Sequence, residues 1–306
     1  MAECMTLAII IVNYNSYNNT IKCINSILEN PPLYKYKIYI VDNGSTNNSY
    51  EYMFNWYKKN TNVCVSKTGK NKGYSGGLNF GIMQAIKDES KYFLLCNNDL
   101  LFPAGSLNAF VDTNEQYPNA GVVGGRIIGT DNVLQKCYKR LMTYKDHLSE
   151  KKPFMYFVKD NREPLSYDEI SVFDGMVSGA CFMLSRNTIE KIGLLDENIF
   201  LFYEEDALAY MIKNANLQAV FNPHIDIVHF GSTTIGTNGV VYYLNRYKSS
   251  MYVLKRYAHV NNLQLSIVYL SNSLSLRVKM VRDDKYKVAV RDLKTYYHLL
   301  RRINRD

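Results

Sequence analysis

Three consecutive acids, Glu204-Glu205-Asp206, follow four large apolar residues, Phe200-Leu201-Phe202-Tyr203, and Leu208, Met211 and Ile212 continue at helical spacing. Carboxylates at the head of a helix are favoured by its dipole, which is one sufficient reason for them. Neighbouring side chains on a helix diverge by roughly 100°, so one acid can face a crevice while the others cap or meet water. A carboxylate aimed that way can take the proton of an incoming hydroxyl. A further acid, Asp99, ends Asn97-Asn98-Asp99 just past the apolar run Tyr92 to Cys96. A hard divalent cation bridging two phosphates needs one or two such oxygens and fills its other positions with phosphate and water. His229 follows Ile225-Asp226-Ile227-Val228 and precedes Gly231-Ser232. It can serve as a second ligand, or as an ordinary structural histidine.

Two more polar clusters end apolar runs: Asn13-Tyr14-Asn15 and Asp42-Asn43-Gly44-Ser45. Such residues also dominate plain turns, yet three clusters at successive strand ends would share one crevice. The Asp42 carboxylate can accept the ring N–H of uracil or thymine, a donor adenine does not offer. In Asn71-Lys72-Gly73-Tyr74-Ser75-Gly76-Gly77-Leu78-Asn79, three glycines open a helical pattern. Glycines there let backbone approach a diphosphate; close packing of the helix on a sheet explains them equally well.

The elements that must position these residues follow an α/β rhythm. Apolar runs at Leu7 to Asn13, Lys37 to Asp42, Asn62 to Ser66 and Tyr92 to Cys96 read as strands. Segments of helical period, Tyr17 to Leu28, Ser49 to Lys58 and Tyr74 to Lys87, lie between them. That alternation predicts a Rossmann-like, mostly parallel sheet flanked by helices, with ligands at the carboxyl ends of its strands. Pro31-Pro32 ends the first helix. Further strands are expected near Val122 to Ile128, Val177 to Leu184 and Leu217 to Phe221, with a short helix capped by Asn187 and Glu190 and stopped at Gly193. The glycine-free stretch 136–169 reads as an insertion over one face. Past Gly239, Tyr243, Tyr247, Met251, Leu254 and then Leu274, Val278 and Val281 recur at helical spacing, which predicts a small element of amphipathic helices over 239–306.

Charge is distributed unevenly. The chain has 306 residues and a formal net charge of +8, but Val240 to Asp306 hold 14 Lys/Arg against 4 Asp/Glu, so the basic character belongs to this tail. A membrane surface, an oligomer interface such as a homodimer, or solvated helix faces would each account for it. The tail carries no recognised nucleic-acid reading motif, so nucleic acid is not the expected partner. The cysteines Cys4, Cys23, Cys64, Cys96, Cys137 and Cys181 are scattered without a CxxC pair, which fits a reducing, cytoplasmic setting. Leu7 to Val12 is too short for a secretory core and reads as a strand.

Taken together the motifs resemble glycosyltransferase family 2, and within it the rhamnosyl- and galactofuranosyltransferase-like branch. The resemblance runs from about Leu7 to Ser232, on Ile11-Val12-Asn13-Tyr14-Asn15, Val41-Asp42-Asn43-Gly44-Ser45, Asn71 to Asn79, Asn97-Asn98-Asp99, Ser178-Gly179-Ala180, and Gly193-Leu194-Leu195-Asp196-Glu197 leading into Glu204-Glu205. It implies a GT-A fold over 1–238, with a nucleotide-binding half to about 100 and an acceptor-binding half beyond. It also implies an inverting transfer from a dTDP- or UDP-linked sugar, rhamnose favoured, to a glycan or lipid-linked acceptor in bacterial surface polysaccharide synthesis; the basic tail then suggests a peripheral place on the inner face of the cell membrane. In the family's pattern Asn13, Tyr14, Asn15, Asp42, Asn71, Gly73, Tyr74, Gly77 and Asn98 stand for nucleotide binding. Asp99 and His229 stand for Mg²⁺ or Mn²⁺, and Ser178, Gly179, Ala180 and Glu204 for the sugars. The base is Glu205, with Asp206 as rival, because the usual second acid of the pair is Asp and here it comes one place later. Two other readings compete. A sugar-1-phosphate nucleotidyltransferase would carry a basic glycine-rich loop after the first strand, which Asn13-Tyr14-Asn15-Ser16 is not. A non-catalytic sugar-nucleotide-binding protein would have no use for the acids.

Overall fold

A computed structural model describes residues 6–149, 165–231 and 239–302. Cys4, Ser232, the middle of the expected insertion (150–164) and the last four residues lie outside them. In chain order the elements are β1 (Leu7–Asn13), α1 (Tyr17–Glu29), β2 (Tyr36–Asp42), α2 (Ser49–Tyr57), β3 (Val63–Lys67), α3 (Gly73–Lys87) and β4 (Tyr92–Cys96). They continue with β5 (Leu100–Leu101), α4 (Ser106–Gln116), β6 (Ala120–Gly129), β7 (Tyr138–Arg140), α5 (Tyr144–Ser149), β8 (Ser171–Phe173), β9 (Gly175–Val177) and β10 (Cys181–Ser185). The remainder is α6 (Arg186–Ile192), α7 (Glu204–Asn214), β11 (Gln218–His229), α8 (Val240–Arg256), α9 (Asn262–Met280) and α10 (Tyr286–Leu300).

The main sheet runs β3-β2-β1-β4-β10-β6-β11-β5, with β8 also paired to β11. β1 to β4 are parallel to one another, and β10 enters antiparallel between β4 and β6. β1 is buried on both faces along nearly its whole length, as a central parallel strand with helices on each side must be. Because β1 lies between β2 and β4, the order of the chain reverses there, and the carboxyl ends of β1 and β4 part to leave a crevice. The mixed, mostly parallel α/β sheet expected from the alternation is therefore present.

Three expectations change. The run Val177 to Leu184 is two strands: β9 pairs with β7 in a separate ribbon, and β10 joins the main sheet. The two runs around Pro223 are one strand, β11, whose register on β6 shifts between Phe221 and Asp226 because proline cannot donate to the ladder. The cap of α6 is Ser185, whose hydroxyl accepts the Thr188 amide, and not Asn187. Helix α4 was not read at all, although Leu107, Phe110 and Val111 sit at helical spacing and are fully buried.

Helices α8 to α10 share a second apolar core, in which Met251, Leu254, Leu265, Leu276 and Leu293 pack with Met142, Ile199, Tyr203 and Ala207 from the sheet half. Tyr247, Met251 and Leu254 thus fill the expected buried stripe, while Leu274, Val278 and Val281 point outward.

Helix α3 sits close on the sheet at Gly81, where an added Cβ would lie 2.5 Å from Ile10 Cγ2 and 3.2 Å from Val41 Cγ2. In Gly81→Ala the helix gains about 1 kcal/mol of propensity, whereas pushing a β-branched strand residue aside costs about 1–3 kcal/mol. Net destabilisation is expected in chemical denaturation; a variant more stable than the parent would contradict the close seating.

Candidate active site

The crevice between the ends of β1 and β4 has a volume of about 890 Å³. Its floor is Asn97-Asn98-Asp99, the turn leaving β4, with His229 at the end of β11 beside it. His229 Nε2 stands 3.2 Å from Asp99 Oδ1, and its Nδ1 is 2.9 Å from Gln135 Oε1. A glutamine carbonyl accepts from the Nδ1–H tautomer, which leaves the Nε2 lone pair facing Asp99. Among the described residues no third His, Cys, Asp or Glu joins them. Two ligands of this kind, oriented from behind, suit a divalent cation that takes its remaining oxygens from a diphosphate and water.

The head of α7 also lines the crevice. Phe202 and Tyr203 both adopt left-handed backbone, φ 67° and 68°, which costs bulky residues about 1–3 kcal/mol each. Burial of Tyr203 and the hydrogen bond from Ser249 Oγ of α8 to the Leu201 carbonyl, 2.8 Å, hold this turn. The result is that Glu204, Glu205 and Asp206 all line the crevice. Glu205 lies on Gly179, where any Cβ would overlap its carboxylate, so the break between β9 and β10 is shaped around that acid. Asp206 is held by Lys139 of β7, whose Nζ is 2.8 Å from one carboxylate oxygen and 2.9 Å from the other. Burial, and then the charge of Glu205, pushes the Glu204 carboxyl up to about 8. Glu205 is also raised, by burial first and by Asp206 after it, against the opposing pull of Lys139.

The residues expected on the nucleotide side fall into two groups. Tyr14, Asn71, Gly73, Tyr74 and Asn98 line the crevice with Asp99, His229, the acids and Ser178-Gly179-Ala180, but Asn13, Asn15, Asp42 and Gly77 do not. Asp42 is 3% exposed, and its carboxylate accepts from Asn13 Nδ2 (2.8 Å), the Ser45 amide (3.0 Å) and Ser45 Oγ (2.6 Å). Asn13 in turn accepts from Thr20 Oγ1, to which Asn98 donates. Asp42 is thus one end of a buried polar chain tying β2, β1, α1 and the β4 turn together. Asn15 accepts from the Thr46 amide at 2.8 Å and stays with that loop.

The glycine stretch is tied to its neighbours. The Lys72 amide donates to Asn43 Oδ1, that of Gly73 to Asn71 Oδ1, and that of Tyr74 to the Phe200 carbonyl. These three amides therefore have partners within the protein. Gly73, φ 77°, leaves no room for a Cβ beside the Phe200 carbonyl, and Gly77 packs on Val12. Of the residues missed, Thr20 had a signal, being a polar residue in line with Cys23, Ile24 and Ile27 on the buried face of α1. Lys136, Lys139, Gln135 and Arg246 had none.

Residues 8–193 match the family described as Glycosyl transferase family 2. The chain belongs to that family. Among its relatives in glycosyltransferase family 2 chemistry is the N-acetylglucosaminyl-diphospho-decaprenol L-rhamnosyltransferase of Mycobacterium tuberculosis, 24% identical over 227 residues, 70% of this chain and 72% of that one. The low-salt glycan biosynthesis hexosyltransferase Agl10 of Haloferax volcanii is 24% identical over 230 residues, 73% of this chain and 66% of that one. In structure the chain is similar to GalNAc-T7 solved with UDP, GalNAc and Mn²⁺ (TM-score 0.63, 14% identity), covering 84% of this chain and about half, 48%, of that one. It is also similar to residues 1–349 of S. aureus TarS solved with UDP (TM-score 0.52, 16% identity; 87% of this chain, 66% of that one). The family 2 glycosyltransferase fold described above is GT-A.

The raised Glu204 carboxyl makes stability depend on pH. Below the ordinary glutamate value, roughly 4.3, folded and unfolded chains both hold this proton. Between there and about 8 only the folded chain does, so stability falls as pH rises. In urea titrations at several pH values, Glu204→Gln should gain on the parent as pH increases; a constant difference would contradict the assignment.

Proposed function

We propose that this family 2 glycosyltransferase inverts the anomeric centre as it transfers a sugar, rhamnose favoured, from a dTDP- or UDP-linked donor to a hydroxyl of a glycan or lipid-linked acceptor. The setting is bacterial surface polysaccharide synthesis at the cytoplasmic face of the membrane. The observation that carries the reading is that the Asp99–His229 pair and Glu205 line one crevice. The rhamnosyltransferase and hexosyltransferase relatives favour this substrate class.

Asp99 and His229 are the residues that would hold Mg²⁺ or Mn²⁺, and such an ion, when bound, neutralises charge developing on the leaving diphosphate. Glu205 takes the acceptor's proton as the acceptor oxygen bonds to the anomeric carbon. The bond from that carbon to the diphosphate oxygen breaks, and its electron pair leaves with the nucleoside diphosphate. Attack from the side opposite the leaving group gives inversion. Tyr14, Asn71 and Asn98 line the donor end, and Ser178-Gly179-Ala180 with protonated Glu204 can donate to sugar hydroxyls. Asp206, neutralised by Lys139, is the weaker candidate for the base.

General-base assistance is worth about 10² to 10⁴ in rate, so Glu205→Gln should lose that much of kcat with little change in donor affinity. Retained turnover in Glu205→Gln, together with loss in Asp206→Asn, would move the base to Asp206. Since the base must be ionised and Glu205 is raised, kcat should climb with pH through a midpoint above the ordinary glutamate range. A profile already flat at pH 5 would contradict it.

A further inference from the structure

Helix α9 is apolar on two opposite faces. Leu265, Val268 and Leu276 are fully buried against α8 and α10. At roughly 100° per residue, Leu263, Ile267, Leu270, Leu274, Val278 and Val281 form a second stripe on the far side. Leu263, Leu270, Leu274, Val278 and Val281 are 57–85% exposed among the described residues. Over 18 residues the stripe is about 27 Å long, a continuous apolar surface of a kind that marks an interaction site.

The charges around it say what it meets. α9 contains no acid; its Arg277 is exposed, while Lys279 lies over the Tyr243 ring of α8. The exposed residues that follow it include Arg282, Lys285, Lys287, Arg291 and Lys294, against Asp283, Asp284 and Asp292. No helix among the described residues is long and apolar enough to cross a bilayer, so the stripe lies along a surface. An amphipathic helix with basic flanks meets an anionic bilayer in that way, apolar side chains in the headgroup boundary and cations over the phosphates. A second copy of the chain fits less well, because a two-fold contact across the stripe would press two basic elements together.

We propose that the outer face of α9 docks the protein on an anionic lipid surface. The placement also serves the crevice. Val241 and Arg246 of α8 line it, and Tyr247 Oη of α8 lies 2.8 Å from Ser275 Oγ of α9, so the docked helix is one helix away from the site. Only this purpose rests on the proposed lipid-linked acceptor; docking itself is read without catalysis.

The test is flotation of the full chain with vesicles of phosphatidylcholine alone or with phosphatidylglycerol, comparing the parent with Leu270→Glu/Leu274→Glu. Both positions face solvent, so the fold should survive, which circular dichroism checks. The parent should float with anionic vesicles and not with neutral ones, and the variant should bind at least about tenfold less. Glu205→Gln should float like the parent, which separates docking from the catalytic reading. Equal recovery in both lipids, or an unaffected double variant, would overturn the proposal. A lipid-free dimer that the double variant dissociates, with no vesicle binding, would assign the stripe to self-association instead.

Discussion

Three carboxylates in succession, drawn partly out of water at one helix head, are an electrostatic problem that the surrounding structure is built to solve. Left alone they would repel one another, and burial would push each toward its neutral form. The structure disposes of two charges by different means. Lys139 arrives from β7 to pair with Asp206, and the proton held by Glu204 up to about pH 8 removes a second at neutral pH. Glu205, also raised by burial and drawn back by the charge of Lys139, rests against Gly179, where an added Cβ would displace its carboxylate. The left-handed turn at Phe202-Tyr203 is the backbone cost of aiming it, sustained by the core that α8 to α10 share with the sheet half.

At the floor of the crevice the constraint is rigidity. The Asn98–Thr20–Asn13–Asp42–Ser45 chain fastens the ends of three strand-end turns and one helix to each other inside the protein. Buried polar networks that are fully satisfied fix one arrangement, and this one fixes the turn from which Asp99 projects. His229 comes from the far side of the sheet, and Gln135 orients it. A cation held by only two such side chains depends on a diphosphate for its other oxygens, so metal and donor affinities should be coupled.

Much of this was legible beforehand, for reasons that are local. β1 and β4 matched their apolar runs residue for residue, since a strand buried on both faces must be continuously apolar. Asp99, His229 and the acids were found because each ends a strand or opens a helix, where sequence shows position directly. What was not legible depends on long-range pairing. Lys139 is 67 residues from Asp206, and nothing in its own surroundings announces that contact. Asp42 sits at the expected strand end, and its bonds from Asn13 and Ser45 are long-range or loop pairings that the sequence does not announce. The glycines of α3 are ambiguous between ligand and packing in the sequence, and the bonds of the Lys72 and Gly73 amides to Asn43 and Asn71 appear only in the fold. At Ser178-Gly179-Ala180 an apolar run conceals the change from one strand to the next, because β9 and β10 are each apolar for different sheets.

The most direct test of the account is the anomalous map of a crystal grown with Mn²⁺ and UDP or dTDP. Manganese should lie between Asp99 and His229 Nε2, at ligand distances of about 2.0–2.3 Å, with the diphosphate on the side that faces Glu205. Manganese away from that pair, or a diphosphate seated on the glycine turn of α3 with Glu205 pointing elsewhere, would contradict it.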